Sequence, residues 1–216
     1  MKHLATSLAL ALVAIVTVAA GCGKDDKPAA KDPAPAAGAP AAGAAADPAP
    51  TPDDGADYVR VLATHVVPKP TDPVTIAIPG FRVVSADFDP ANLEGGTATL
   101  ALDLASLDSG SAKRDKHLRS DDYLDVGAFA TATITIGNVK RAADRAYTAD
   151  ATVDIHGVQQ TLPVRFDVIE TSADGVRIQA EHRFSRHVFA IGAAEGQEDS
   201  VAPDLTIQLR LTLKKG

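Results

Sequence analysis

Tryptophan is absent from this chain and aromatic residues make up only 4% of it, which leaves no ring platform on which unpaired bases could stack. Cysteine occurs once, at position 22, so neither an internal disulfide nor a cysteine-based metal site can form. An excess of positive charge is also missing. Lys and Arg number 21 against 28 Asp and Glu, a net charge of −7. That balance gives no electrostatic footprint for nucleic acid and none for docking on anionic headgroups. Histidines beyond the start of the chain (His65, His117, His156, His182, His187) never stand two or four apart, so neither a strand nor a helix face offers a paired metal site. Amphipathic helical periodicity over a dozen residues is absent too. No apolar run reaches the roughly 20 residues that a membrane-spanning helix needs.

The longest apolar run, Leu8–Val18, has the length and position of the core of an export signal. It is followed by "AAGC", Ala19 to Cys22. Small residues directly before the only cysteine resemble a bacterial lipoprotein signal, with Ala19 at the position where leucine is preferred. The resemblance implies that residues 1–21 are removed and that Cys22 is lipidated. Several acyl chains hold firmly where one holds weakly, so the expected location is extracytoplasmic and membrane-anchored, on the periplasmic face or at the outer membrane. From position 22 to position 57 the chain is rich in Ala, Pro and Gly with no aromatic residue. Nothing there can bury a core, and a disordered linker is expected. The folded domain is expected over residues 58–216, long enough for one real core.

Within that domain apolar residues alternate with polar ones at period two, the signature of strands with one wet face. Leu100, Leu102 and Leu104 share one face of "TATLALDLASL"; Tyr147, Ala149, Ala151, Val153 and Ile155 share one face of "YTADATVDIHG". The same holds for Leu162, Val164, Phe166 and Val168, for Val176, Ile178, Ala180, His182 and Phe184, and for Leu205, Ile207, Leu209, Leu211 and Leu213. "YVRVLATHV" and "VTIAI" behave similarly, and turn residues bound most runs. An all-β antiparallel sandwich or barrel follows. Inward positions carry many small residues, among them Ala130, Ala132, Ala149, Ala151 and Ala180. Two readings stay open: the alanines pack against large neighbours in a filled core, or they leave room for a ligand.

One stretch breaks the thin spread of charge. "RDKHLRSDDYLDV", Arg114 to Val126, packs seven charged residues and a histidine into thirteen positions. It is also the one helix candidate, with Ser109 or Ser111 as cap. Ser120, His117 and Asp122 have the residue types of a hydrolytic triad, but sequence neighbours rarely assemble one, and no nucleophile-elbow motif accompanies them. A structural clasp suits the pattern better. Arg114 has Asp115, Asp122 and Asp125 as ion-pair partners within reach, His117 can donate to a backbone carbonyl, and Leu118, Tyr123 and Val126 can turn inward.

Arg114, Asp115, His117, Leu118, Ser120, Asp122, Tyr123, Asp125 and Val126 together resemble the signature of the YceI-like family. "VDIHGVQQTLPV", through Ile155, His156, Gly157, Val158 and Leu162, resembles a second family segment. "FSRHVFAIG", with Arg186, Phe189 and Ile191, resembles a third, with Ala190 where glycine is usual. The resemblance runs from about Phe81 to Lys214; the proline-rich stretch before it lacks the family's early histidine motif. It implies a lipocalin-like eight-stranded antiparallel barrel with a short helix between strands, an elongated apolar pocket for a polyisoprenoid or similar long lipid, and no catalysis. On that fold the candidate cavity residues are Leu100, Leu102, Leu104, His117, Leu118, Tyr123, Phe129, Val153, Ile155, Phe166, Ile178, His182, Phe184 and Leu209. The candidate clasp is Arg114, Asp115, Ser120, Asp122 and Asp125. No metal or resident cofactor is expected, a bound isoprenoid lipid or quinone being the ligand. The expected partners are that lipid and the anchoring membrane, with no nucleic acid; a homodimer is compatible. The competing reading is a protein-interaction barrel with a filled core.

Overall fold

Period-two alternation becomes strand throughout the computed structural model, which describes residues 55–192 and 200–216. The strands are β1 (Tyr58–Ala63), β2 (Val74–Ala77), β3 (Phe81–Asp89), β4 (Asn92–Asp103), β5 (Thr131–Arg141), β6 (Ala146–Ile155), β7 (Val158–Thr171), β8 (Gly175–Ser185) and β9 (Asp204–Lys214). The helix α1 (Ala112–Leu118) lies between β4 and β5, and 3-10 turns follow β4 (Leu104–Ser106) and β8 (Arg186–Phe189). The strands form one antiparallel sheet in the order β2-β1-β9-β8-β7-β6-β5-β4-β3, curled around a single interior. The expected signal peptide (1–21), Cys22 and most of the expected linker lie outside the described residues. Asp57, placed at the end of that linker, is docked on the sheet: its carboxylate accepts from the Thr212 N–H at 2.8 Å and the Thr212 hydroxyl at 3.0 Å.

Nine strands appear where eight were expected, and the difference has a local cause. β2 and β3 are the two outer members of the sheet and are consecutive in the chain. The Ile78 N–H still donates to Val59 O of β1 at 2.9 Å, while Gly80 O already accepts from Asp103 N of β4 at 2.7 Å. The hand-over from one edge to the other therefore happens at Pro79, which has no N–H to satisfy. Gly80 has no room for a side chain, because a Cβ there would lie 2.7 Å from Ser106 Oγ. The two outer strands are thus joined directly by the chain at residues 78–80. At the other end of β3, the Gly216 N–H donates to Ala86 O at 3.0 Å.

β3 was the run that alternation did not reveal. Its pairing with β4 shifts between Val83 and Ser85 and again between Asp87 and Asp89, and each bulge reverses which side chains face inward. Arg82 to Ser85 are all exposed. By contrast, "IHG" forms the expected tight hairpin. Ile155 pairs with Val158, and both loop residues, His156 (φ 55°) and Gly157 (φ 72°), take the left-handed conformation that a two-residue hairpin with right-twisted strands demands.

The register defines two ends. The upper end carries the close of β4, α1, the β6–β7 hairpin and the start of β9; the lower end carries the β5–β6 and β7–β8 connections. Leu104, Leu107 and Phe189 are buried near the upper end. Toward the lower end Tyr147 stacks on Phe166, centroids 5.5 Å apart and planes at 12°, and buried Phe88, Leu93 and Val139 fill the space around them.

Candidate ligand cavity

Inward side chains from all nine strands enclose a cavity of about 300 Å³, whose wall is almost entirely carbon. Ala132, Ala151 and Ala180 line it, so the small inward residues leave room rather than being filled by neighbours. Ala149 is buried without reaching the cavity, and Ala130 is exposed. Of the expected wall, Leu100 and Leu102 come from β4 with Leu104 just after it. Val153 and Ile155 come from β6, Phe166 from β7, Ile178, His182 and Phe184 from β8, and Leu209 from β9. His117, Leu118 and Tyr123, around α1, border the upper end.

Phe129 is the exception. It precedes β5 outside the cavity, with its ring edge-on to His156 (5.2 Å between centroids) and over Gly157, where a Cβ would meet it at 2.9 Å. The hairpin glycine creates the seat for this ring. Residues not anticipated for the wall include Val61 and Ala63 of β1, Val74 and Ile76 of β2, and Arg186, Phe189 and Ile191. The alternation of "YVRVLA" carried the signal for the first pair. The last three were visible only as parts of a motif, because a buried arginine has no periodicity to betray it.

Arg186 is 2% exposed. Its guanidinium donates to three carbonyl oxygens: Ile191 at 2.6 Å, Val201 at 3.2 Å and Ala202 at 3.3 Å. A planar fork of five donors suits such a cage, and without those acceptors burial of the charge would be prohibitive. The arginine thereby ties the turn after β8 to the segment 200–202. The turn ends at Ala190, held left-handed at φ 54°.

The charged cluster forms a clasp, but not with the expected pairs. Arg114 Nη1 donates to the Ser109 carbonyl at 3.0 Å instead of pairing with Asp115, Asp122 or Asp125. Asp115, nearly buried, accepts from the Ser109 hydroxyl at 2.5 Å and the Ser109 N–H at 2.9 Å. These bonds, the hydroxyl's first, hold its carboxyl below the usual range against the opposing effect of burial; Arg119 and Arg114 add to the lowering. Neither serine caps the helix by its side chain: Ser111 makes no cap bond, and Ser109 serves Asp115. His117 Nε2 lies 3.2 Å from Asp122 Oδ2 rather than on a backbone carbonyl, with its ring edge-on to Tyr123 at 4.9 Å. Ser120 Oγ donates to the His117 carbonyl at 2.7 Å, which directs the hydroxyl away from the imidazole. Asp125, at φ 40°, turns the chain: its N–H reaches Ser120 O at 2.8 Å and its own carbonyl accepts from the Ala128 and Phe129 N–H groups. Arg119, which sequence reasoning passed over, is the member that fastens the cluster to the 3-10 turn after β4, donating to the carbonyls of Ala105 (3.1 Å) and Leu107 (2.5 Å).

Among the described residues, the ionisable side chain that the strands contribute to the cavity lining is His182. His182 stands between Ala180 and Phe184, opposite Ile207 of β9, and burial lowers its pKa from 6.5. Among the described residues no three His, Cys, Asp or Glu side chains gather as a metal site would need.

The sequence profile of the YceI-like domain matches residues 71–213. A UPF0312 protein of Vibrio vulnificus is 33% identical over 96 residues, which cover 44% of this chain and 51% of that one. A UPF0312 protein of Ectopseudomonas mendocina is 42% identical over 77 residues, 36% of this chain and 39% of its own length. The chain thus spans about half the length, or less, of these curated relatives. Among solved structures, BcnA of Burkholderia cenocepacia shares the fold with a TM-score of 0.65 at 21% identity, covering 73% of this chain and 96% of BcnA. A polyisoprenoid binding domain from Saccharophagus degradans shares it with a TM-score of 0.58 at 15% identity, covering 74% and 94%. With the profile matched across most of the curled sheet and the same fold in these neighbours, the chain belongs to the YceI-like domain family.

Proposed function

We propose that the cavity holds the tail of a long apolar lipid, a polyisoprenoid or the side chain of a quinone, and that the protein binds this lipid without transforming it. The observation that carries the reading is the wall: a cavity of about 300 Å³ enclosed by leucine, isoleucine, valine, alanine and phenylalanine side chains, on a fold shared with a polyisoprenoid binding domain. Burying on the order of 500 Å² of tail at ~25 cal/mol per Å² contributes roughly 12 kcal/mol before the entropic cost of association. Apolar area alone is therefore enough, and few polar groups are needed. The open volume beside Ala132, Ala151 and Ala180 counts against a filled core that serves only to present a protein-binding surface.

The "AAGC" motif supports a lipidated Cys22 and an extracytoplasmic, membrane-anchored protein, which puts the cavity within reach of a bilayer source of lipid. Organic extraction of the purified protein followed by mass spectrometry tests the ligand. A stoichiometric long-chain isoprenoid is expected; a clean blank from protein purified out of its own host overturns the reading. Mass analysis of the N-terminal peptide tests the anchor, which predicts acyl mass on Cys22 and no residues before it.

A further inference from the structure

The two ends of the cavity differ. Among the described residues, every ionisable side chain that lines it belongs to the upper part: Arg114, His117 and Tyr123 around α1, His65 after β1, His182 near the close of β8 and Arg186 in the turn behind it. Two upper lining residues, His117 and Ser200, are exposed, so the cavity meets water there. At the lower end the lining side chains are Phe88, Leu93, Val139 and Phe166, all buried. This floor is braced from behind. Tyr147, 4% exposed, stacks on Phe166 and has the Arg141 guanidinium 5.0 Å from its ring centroid. The Arg141 N–H donates to Glu94 Oε1 at 3.1 Å, which ties the close of β5 to the start of β4, and its guanidinium donates to the Asp144 carbonyl at 2.8 Å. The β5–β6 connection is fastened to β7 at Val168. The Val168 N–H donates to the Arg145 carbonyl at 2.8 Å, and the Val168 carbonyl accepts from the Arg145 guanidinium at 2.6 Å. A ring enclosed in this way has little space to swing into.

We propose that the ligand lies with its polar head at the upper end and its tail pointing down, and that Phe166, backed by Tyr147, sets the longest tail the cavity accepts. The proposal rests on the lipid-binding reading and adds to it the direction of the ligand and the residue that measures its tail. The direction follows from desolvation. A polar head at the lower end would be stripped of water and would face only carbon, which is costly. At the upper end it keeps both water and the hydrogen-bonding groups of the mouth. The length limit follows from the floor. Each buried methylene is worth roughly fourfold in affinity, so binding tightens as the tail grows until its end touches Phe166. Carbon added beyond that point stays at the mouth, in water, and contributes little. On the side wall, Val83 of β3 and Thr97 of β4 line the cavity while exposed. A tail leaving past them would meet no limit, which separates the two routes.

Prenols that grow by one isoprene unit at a time, from geraniol to solanesol, test the limit. They are offered in detergent to the chain carrying Cys22→Ser, which removes the residue proposed to be acylated. The detergent is then exchanged away and the retained prenol is measured by mass spectrometry. In the parent, retention is expected to climb with tail length and then level off. Phe166→Ala should move that limit up by about one isoprene unit, the space of the lost ring. The next longer prenol should then gain roughly tenfold or more over the shorter one. Val139→Phe fills the floor instead of emptying it and should lower the limit; it carries the test where Phe166→Ala does not fold. A prenyl ether with a benzophenone head should crosslink within or just after α1. Retention that keeps rising to solanesol overturns the proposal, as does a limit that stays put in the folded variants. Crosslinks confined to the β5–β6 connection reverse the direction and overturn it as well. A parent that retains no prenol of any length sinks the lipid-binding reading together with this one, whereas retention with an unmoved limit sinks the tail measure alone.

Discussion

Asp115 and Ser109 are joined twice: the serine hydroxyl lies 2.5 Å and its N–H 2.9 Å from the same carboxylate oxygen. This pair fixes the entrance to α1 and, through Arg114 on the Ser109 carbonyl, the corner where β4 gives way to the charged cluster. A clasp of this kind holds the upper end of the cavity in place, and Arg114 itself contributes to the cavity lining there.

Its pH dependence has a definite sign. The Asp115 carboxyl titrates below its ordinary 3.8 in the folded chain, so the unfolded chain binds the proton more readily. The clasp's contribution is complete above that ordinary value and is lost as pH falls through the lowered one. Ser109→Ala should lower the urea midpoint at neutral pH, and the gap from the parent should close in acid well below pH 3.8. A gap that persists unchanged in acid would show that the carboxylate is not what Ser109 supports.

His182 behaves oppositely in charge but alike in sign. Burial disfavours its imidazolium, so the unfolded chain takes up a proton near pH 6.5 that the folded chain resists. Stability is full above about 6.5 and declines as pH falls toward the lowered value. His182→Leu should therefore flatten the loss of stability between about pH 7.5 and about pH 5.5. Urea unfolding of both proteins at the two pH values measures it.

Ala151 is buried and lines the cavity between Ile136 and Leu162 on the neighbouring strands. Ala151→Phe should place a ring in the open volume and abolish lipid recovered by extraction. The overpacking costs about 1–3 kcal/mol, so circular dichroism and the unfolding midpoint should show a folded, somewhat weakened domain. Undiminished lipid in the folded variant would mean that the ligand sits elsewhere.

Ala190 holds φ 54° and ψ 33° at the end of the turn after β8, a conformation that costs an L-residue roughly 1–2 kcal/mol. Glycine takes it freely but loses more entropy on folding, about 0.4–1 kcal/mol. Ala190→Gly is thus expected to stabilise the domain by up to about 1 kcal/mol, a rise of about 2–4 °C in Tm. A fall in Tm would mean the Ala190 methyl makes a contact that outweighs the strain.

Much of this domain is legible from residue order because strands write their burial into the sequence at period two. The inward sets of β4, β6, β8 and β9 could be read from Leu100, Val153, Ile178 and Leu209 outward, and "IHG" announced its hairpin through residues that tolerate positive φ. β3 was illegible for the converse reason: two bulges break the period, so that Ala86 and Phe88 are buried while four residues in a row, Arg82 to Ser85, are exposed. Arg186 lacked a signal too, since the carbonyls that make its burial tolerable come from Ile191, Val201 and Ala202 and meet only in the folded chain.

Alternation, turn chemistry and the quoted motifs by themselves determined an all-β antiparallel domain, its short helix and most of its inward residues, because each depends on near neighbours. Tertiary structure alone decided whether Ala132, Ala151 and Ala180 leave space or are filled, since that depends on how far apart opposite walls of the curl stand. It also decided that Phe129 lies outside, over Gly157, and that Arg114 turns to the Ser109 carbonyl while Arg119 fastens the clasp. A charged side chain has several partners within reach of its own segment, and only the packed backbone selects which carbonyls it meets.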